Sequence, residues 1–238
     1  DLEKNSLKAT LGASEASLTS NGHLSEKTTY LVSLRQSYLQ FLFKALGLPF
    51  LPTYTDAQFK LKTRFNEANE LTLLGLAGID NMRLNKDAEE EDAQYILGYL
   101  PKIQQETFTV GGVYKHYAGH HVQSLVLSHS YRNNRNTKYL NNDESNEEML
   151  SLKLRSKEQE TKLRVENSSV WGNTRLSYGA NMEYAQYGNR TYQKRFTGSE
   201  QVVNYRTWID MIKWGAFVKA TYESDDDRFS ASVGLRTD

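Results

Sequence analysis

His116, His120, His121 and His129 crowd together in the middle of the chain, and imidazole nitrogens are common ligands for metals. His120 and His121, however, are adjacent within a GHH turn, and neighbouring side chains on an extended backbone point to opposite sides. The four histidines are therefore expected to serve a turn and the water-facing side of strands, with no metal and no cofactor bound. The acidic run Glu89 to Asp92 invites a calcium reading. It lacks the alternating carboxylates and central glycine that a calcium loop needs. A solvated helix N-terminus, where carboxylates are favoured, fits it better. Gly111-Gly112 lacks the strand-to-helix setting of a phosphate-binding loop and reads as a bend in a strand. No Ser/His/Asp grouping or zinc-ligand spacing is present, so no catalytic residue is assigned and the chain is not read as an enzyme.

The remaining charged groups alternate with apolar ones. In 174–187, Leu176, Tyr178, Ala180, Met182 and Tyr184 fall on one side of an extended chain, and Arg175, Ser177, Gly179, Asn181 and Glu183 on the other. In 57–65, Ala57, Phe59, Leu61, Thr63 and Phe65 oppose Gln58, Lys60, Lys62 and Arg64. A cation facing lipid near the bilayer midplane costs about 2–4 kcal/mol, so three on one face must point to water. Arg35, Lys60, Lys62, Arg64, Arg175, Glu183, Lys213 and Lys219 are accordingly candidates for a wet lumen, pairing with one another. Trp171, Tyr178, Tyr184, Trp208, Trp214 and Tyr222 are candidates for aromatic girdles at the membrane boundaries, with Trp171 and Tyr222 marking the inner one.

Such dyads recur in segments of about ten residues or more, the signature of a transmembrane β-barrel. Composition permits this. The 238 residues have zero formal net charge, no cysteine, 15 Tyr and only 3 Pro. Zero charge gives no basic surface for nucleic acid, and the missing cysteines exclude disulfides and thiolate metal sites. No run approaches the roughly 18 apolar residues of a membrane helix. The chain starts at Asp1 without a signal peptide and stops within an alternating strand, so a piece of a longer protein is expected.

In order, two short strands are expected on either side of Ser14-Glu15, then a turn at NGHLSEK and a strand over 28–38. The segment 39–56 reads as a long loop with a short helix at 39–46. Its Phe41, Phe43 and Phe50 either pack the loop on itself or form an apolar patch for a partner. Strands follow at 57–65 and 70–80. The next loop carries a helix with Tyr95, Ile96 and Tyr99 at helical spacing, closed by Pro101. Strands at 107–118 and 122–131, a polar loop at 132–147 and a long or bulged strand at 148–166 come next. A turn at 167–173, the strand from Thr174, a loop at 188–205, a strand at 208–222, a turn at 224–227 and a last strand complete the chain. Short turns thus alternate with long loops, as periplasmic turns and external loops do in outer-membrane barrels.

The stretches ATLGASEASLTSNGHLSEKT, TTYLVSLRQSYLQFLFKALGLPFLPTYTDAQFKLKTRFNEANELTLLG, LSYGANMEYAQYGN and RFSASVGLRTD resemble the barrel of TonB-dependent outer-membrane receptors, in particular the Bacteroidetes type. The resemblance covers essentially the whole chain. It implies an all-β antiparallel transmembrane barrel segment, with about 11 strands of a 22-stranded barrel and short helices in the long loops. It also implies that residues 1–238 are part of one barrel domain, with the plug and the second half of the barrel outside this sequence. The activity implied is active import of a siderophore, haem, vitamin, glycan or peptide, without catalysis. The partners implied are a TonB complex contacted through the missing N-terminal region, the receptor's own plug and the lipids of the Gram-negative outer membrane. Some haem receptors hold their ligand through histidines, but the GHH turn falls at the periplasmic end, away from an external ligand. Two alternatives stand beside transport: a barrel scaffolding a surface assembly and docking a lipoprotein, and a soluble all-β binding domain.

Overall fold

The computed structural model describes residues 5–197 and 199–238, apart from the side chains at 196–200. All strands join one antiparallel sheet in strict chain order. They are β1 (Ser6–Leu11), β2 (Glu15–Ser25), β3 (Thr28–Ser37), β4 (Phe50–Asn66), β5 (Asn69–Leu84), β6 (Lys102–Ala118), β7 (His121–Tyr139), β8 (Leu150–Trp171), β9 (Thr174–Thr197), β10 (Ser199–Glu223) and β11 (Ser230–Thr237). The sheet is open, with β1 and β11 at its edges. Two helices, α1 (Leu39–Ala45) and α2 (Glu91–Leu97), sit in connections at one end. Among the described residues no helix is long and apolar enough to cross a membrane.

The connections differ at the two ends of the sheet. At one end, β2–β3, β4–β5, β6–β7 and β8–β9 are joined by two residues each. Gly119 and Gly172 open two of these turns at φ 58° and 54°, the left-handed region that two-residue hairpin loops require and glycine enters without strain. The opposite end carries the helix-bearing connections and the short 3-10 turns of 140–149.

Several boundaries differ from the sequence expectation. NGHLSEK is mostly strand, with only Glu26-Lys27 turning. Phe50–Asp56 belongs to β4, and Pro52 is tolerated there because β3 stops pairing with β4 at Gln36↔Thr55. Beyond that point Pro52 has only β5 beside it, opposite Met82, and proline suits a strand where one side is unpaired. The polar run 133–139 extends β7. The expected loop at 188–205 is strand up to Thr197 and again from Ser199, Gly198 lying outside the described residues. β8 is a single 22-residue strand without a frame shift at KEQE. Leu152 and Leu154 therefore face the opposite way from Leu163 and Val165. The common cause is length. β9 has 24 residues and β10 has 25, whereas a membrane strand needs about 9–11. Outside the bilayer nothing imposes an apolar face, so polar sequence continues in the ladder.

The helix-bearing end is tied together by charge and a small core. Ala88, Ala93 and Leu97 are buried and pack against Leu84, so the buried face of α2 is Ala93 and Leu97, while Tyr95, Ile96 and Tyr99 are exposed. Lys138 at the end of β7 donates to the Leu97 carbonyl at 2.7 Å. Lys86 reaches Glu144 at 2.9 Å, and Lys102 also pairs with Glu144. The two lysines hold the Glu144 carboxyl below its ordinary value of 4.5. Besides these three, the buried apolar side chains described are Ala185 and Pro49. A soluble β-sandwich needs a core between two packed sheets. Here there is one sheet.

Candidate functional site

Because side chains alternate with period two, the strand register assigns every side chain to one of two faces. One face is charged. Arg35 lies opposite Asp56, Gln58 opposite Ser33, and Lys60, Lys62 and Arg64 opposite Leu31, Thr29 and, on β5, Glu70. Across β5 to β9 the same face carries Lys115, Ser124 and Glu166, and then Lys162 opposite Glu183. Arg175, Lys213 and Lys219 complete it on β9 and β10, Lys213 opposite Glu183 and Lys219 opposite Ser177. All eight candidates named from sequence share this face.

The structure brings some of the eight into ion pairs. Lys62 Nζ lies 3.0 Å from Glu70. Arg35 donates to Asp56 at 2.8 Å and lies 3.6 Å from Glu15. Its guanidinium also stands 5.0 Å over the Tyr54 ring, and the Tyr54 hydroxyl donates to Glu15. Glu183 is the centre of a triad, 3.1 Å from Lys213 and 3.5 Å from Lys162. Among the described residues Lys60, Arg64, Arg175 and Lys219 have no carboxylate within ion-pair distance. Sequence reasoning missed Glu15, Tyr54, Asp56, Glu70 and Lys162. Their alternation was visible, but choosing partners requires the register between strands.

The other face is apolar. Tyr30, Leu61, Leu73, Gly112, Leu127, Leu163, Met182 and Trp214 form one cross-strand row, each opposite the next. Gly75 gives way to the Phe59 ring, which occupies the space a Cβ would need. This face is open to its surroundings, with Trp214 65% exposed. Trp171, Tyr178, Tyr184, Trp208, Trp214 and Tyr222 all lie on it. Trp171 and Tyr222 both pair with Thr174, beside the Gly172 turn. Tyr184 is level with Ile212, and Trp208 is two rows higher, opposite Gly188. Trp214 stands one row below Ile212, toward Tyr222, opposite Met182. The ten steps from Tyr222 back to Ile212 cover about 33 Å of strand, or about 25 Å of height at a tilt near 40°. That is the height of the apolar band of an outer-membrane barrel.

The histidines do not follow the expectation. The register puts His116, His121 and His129 on the apolar face, not the water-facing one. Each is satisfied by a hydrogen bond: His116 Nδ1 with Asn69 at 2.9 Å, His121 Nδ1 with Ser169 at 2.6 Å and His129 Nδ1 with Thr161 at 2.9 Å. His120 is in the turn. Among the described residues no three His, Cys, Asp or Glu side chains are grouped to hold a metal ion.

The sequence matches no protein-family model and no curated protein. Solved structures do match. The chain superposes on the copper transporter OprC with a TM-score of 0.66 at 12% identity, covering 97% of this chain and 35% of that one. The ferripyoverdine receptor of the outer membrane of Pseudomonas aeruginosa gives 0.67 at 11% identity, covering 93% and 34%. The RagAB peptide importer gives 0.63 at 10% identity, covering 93% and 31%. These neighbours are TonB-dependent outer-membrane receptors. The fold is that of a TonB-dependent receptor barrel. This chain spans about a third of the length of the structures it matches. The neighbours are transporters and receptors, not enzymes. The neighbours are outer-membrane receptors, and this 11-stranded sheet carries an apolar band about 25 Å high, as their barrels do.

Proposed function

We propose that this chain forms part of the barrel of a TonB-dependent receptor that imports a scarce nutrient across the outer membrane. The observation that carries the reading is the separation of faces. Every cation that would be costly in lipid is on the face opposite Trp214 and Phe59, where a hydrated lumen and a plug would meet it. Lys60, Arg64, Arg175 and Lys219 offer charge to that plug or to a passing solute, and the Glu183 triad and the Arg35–Asp56 pair stiffen the wall. The full barrel would hold 22 strands of the Bacteroidetes type, about half of them here. The residues upstream would supply the plug and the contact with TonB. Substrates of the neighbours include copper, ferripyoverdine and peptides, so the proposed cargo is a metal chelate, vitamin, glycan or peptide. Growth on candidate nutrients, with and without a working TonB, tests this reading. A nutrient used only when both the full-length receptor and TonB are present supports it. Equal uptake without TonB for every nutrient that needs the receptor refutes it.

A second reading is a scaffold that docks a lipoprotein. It is favoured by the apolar side chains on α1 and just past α2, with Phe41 67% and Tyr99 71% exposed at the helix-bearing end. Co-purification of a lipoprotein with the full-length protein, lost on Phe41→Ser with Tyr99→Ser, would support it.

A further inference from the structure

Above the apolar band, the outward face changes character across four neighbouring strands. Arg135 on β7 pairs with Arg155 on β8, Arg155 with Arg190 on β9, and Arg190 with Arg206 on β10. Four arginines thus stand side by side in one cross-strand row, on the face that carries Trp208 and Trp214. Directly opposite side chains on a sheet have Cβ atoms about 4.5–5.5 Å apart, and like charges placed so are destabilising. Lys157, one row closer to the membrane, and Lys153, one row farther, lie on the same face of β8. The row begins two residues beyond Trp208 and six beyond Ile212 at the top of the apolar band, about 20 Å along the strand from the latter.

Carboxylates do not balance this row. Glu106 pairs with Arg135 at 3.2 Å, and Asp210 below is occupied by the Trp208 indole N–H at 2.7 Å and Gln186 at 2.8 Å. Among the described residues no carboxylate lies within ion-pair distance of Arg155, Arg190 or Arg206, and all three are exposed. Arg135 Nε is buried without a hydrogen-bond partner. A ladder of like charges at a fixed height on the lipid side of a barrel is stable when an anion lies across it.

We propose that this arginine row binds the phosphorylated headgroup of a glycolipid in the outer leaflet. The height selects that ligand, because the row stands beyond Trp208 and about 15 Å above Ile212, the upper row of the apolar band, clear of the acyl chains. The side selects it too, because the row faces away from the charged face and its ion pairs. Arginine suits the task, since its planar fork grips phosphate with two parallel hydrogen bonds. The three forks without a carboxylate, on Arg155, Arg190 and Arg206, are spaced at strand intervals and match a headgroup carrying more than one phosphate. The inference rests on the membrane orientation alone and stands whether or not the protein imports a nutrient.

The test uses the full-length protein in detergent, with bisphosphorylated lipid A and its fully dephosphorylated form as probes, read by native mass spectrometry. The wild-type protein should retain the bisphosphorylated lipid with at least about tenfold higher affinity than the dephosphorylated one, the scale of a lost charge-assisted contact. Arg190→Gln with Arg206→Gln should abolish that preference. Lys27→Gln with Arg228→Gln removes the same charge at the opposite end of the barrel and should leave it unchanged. Equal retention of the two lipids by the wild-type protein overturns the proposal without relying on any variant. An undiminished preference in the arginine double variant, folded by its heat-dependent gel migration, overturns it as well.

Discussion

Leu73 and Leu74 are neighbours in a run, Leu71 to Leu76, whose orientation the sequence leaves ambiguous. The register puts them on opposite faces. Leu73 lies in the apolar row between Leu61 and Gly112, and Leu74 lies on the charged face between Lys60 and Gly111. Arginine at position 73 would carry its charge into the acyl region at a cost of about 2–4 kcal/mol, a factor of about 30 to 900 in the folding equilibrium. Arginine at position 74 meets water and Lys60. Two unit charges about 5 Å apart in water repel by about 0.8 kcal/mol, so Leu74→Arg should cost about 1 kcal/mol. The assay is refolding of the full-length protein into lipid vesicles across a urea series, scored by the fraction of heat-modifiable band. Leu73→Arg should shift the midpoint strongly and Leu74→Arg slightly. A Leu74→Arg loss equal to or larger than that of Leu73→Arg would refute the assignment of faces.

Other perturbations test separate parts of the account. A Cβ at Gly75 would sit 2.2 Å from the Phe59 ring, so Gly75→Val should cost about 1–3 kcal/mol by overpacking. In the Phe59→Ala background the same change should cost much less, as a double-mutant cycle would measure. Glu183 is 17% exposed between two half-exposed lysines. Allowing for screening, Glu183→Gln should lower stability in the urea series by about 1 kcal/mol, and Lys219→Gln, with no carboxylate partner, should leave it unchanged. The Glu144 carboxyl is held below 4.5 by Lys102 and Lys86. A depressed folded-state pKa means its contribution is complete above the ordinary value and is lost as pH falls through the folded one. Hydrogen exchange over 140–149 should therefore be steady, after correction for intrinsic rates, from pH 7 down to about 5, and loosen below that. Glu144→Gln should show the loosened state at pH 7.

The β-barrel character was legible because a bilayer forces it. In 57–65 and 174–187 one face must be apolar, and period-two alternation then reveals both the strand and its orientation. The α1 helix was legible too, from an apolar run punctuated by Gly47 and Pro49. What the sequence hid lies outside the bilayer. The 133–139, 188–197 and 199–205 segments carry polar residues on both sides and read as loops, yet they pair with long neighbouring strands. The histidine faces were hidden for another reason. His129 on the apolar face is acceptable because Thr161 on the next strand satisfies it, and such cross-strand partners depend on register. The ion pairs of Glu183 and Arg35 and the arginine row depend on register in the same way, since Arg135, Arg155, Arg190 and Arg206 have no common spacing along the chain.

The central claim is that this sheet is the wall of a membrane barrel, with the Trp214 face in lipid. The most direct measurement is outer-membrane fractionation of the full-length protein, followed by gel migration with and without boiling. A detergent-extracted protein that migrates faster unboiled is expected, because a closed barrel stays folded in the cold gel. A water-soluble protein whose migration does not change on boiling would contradict it.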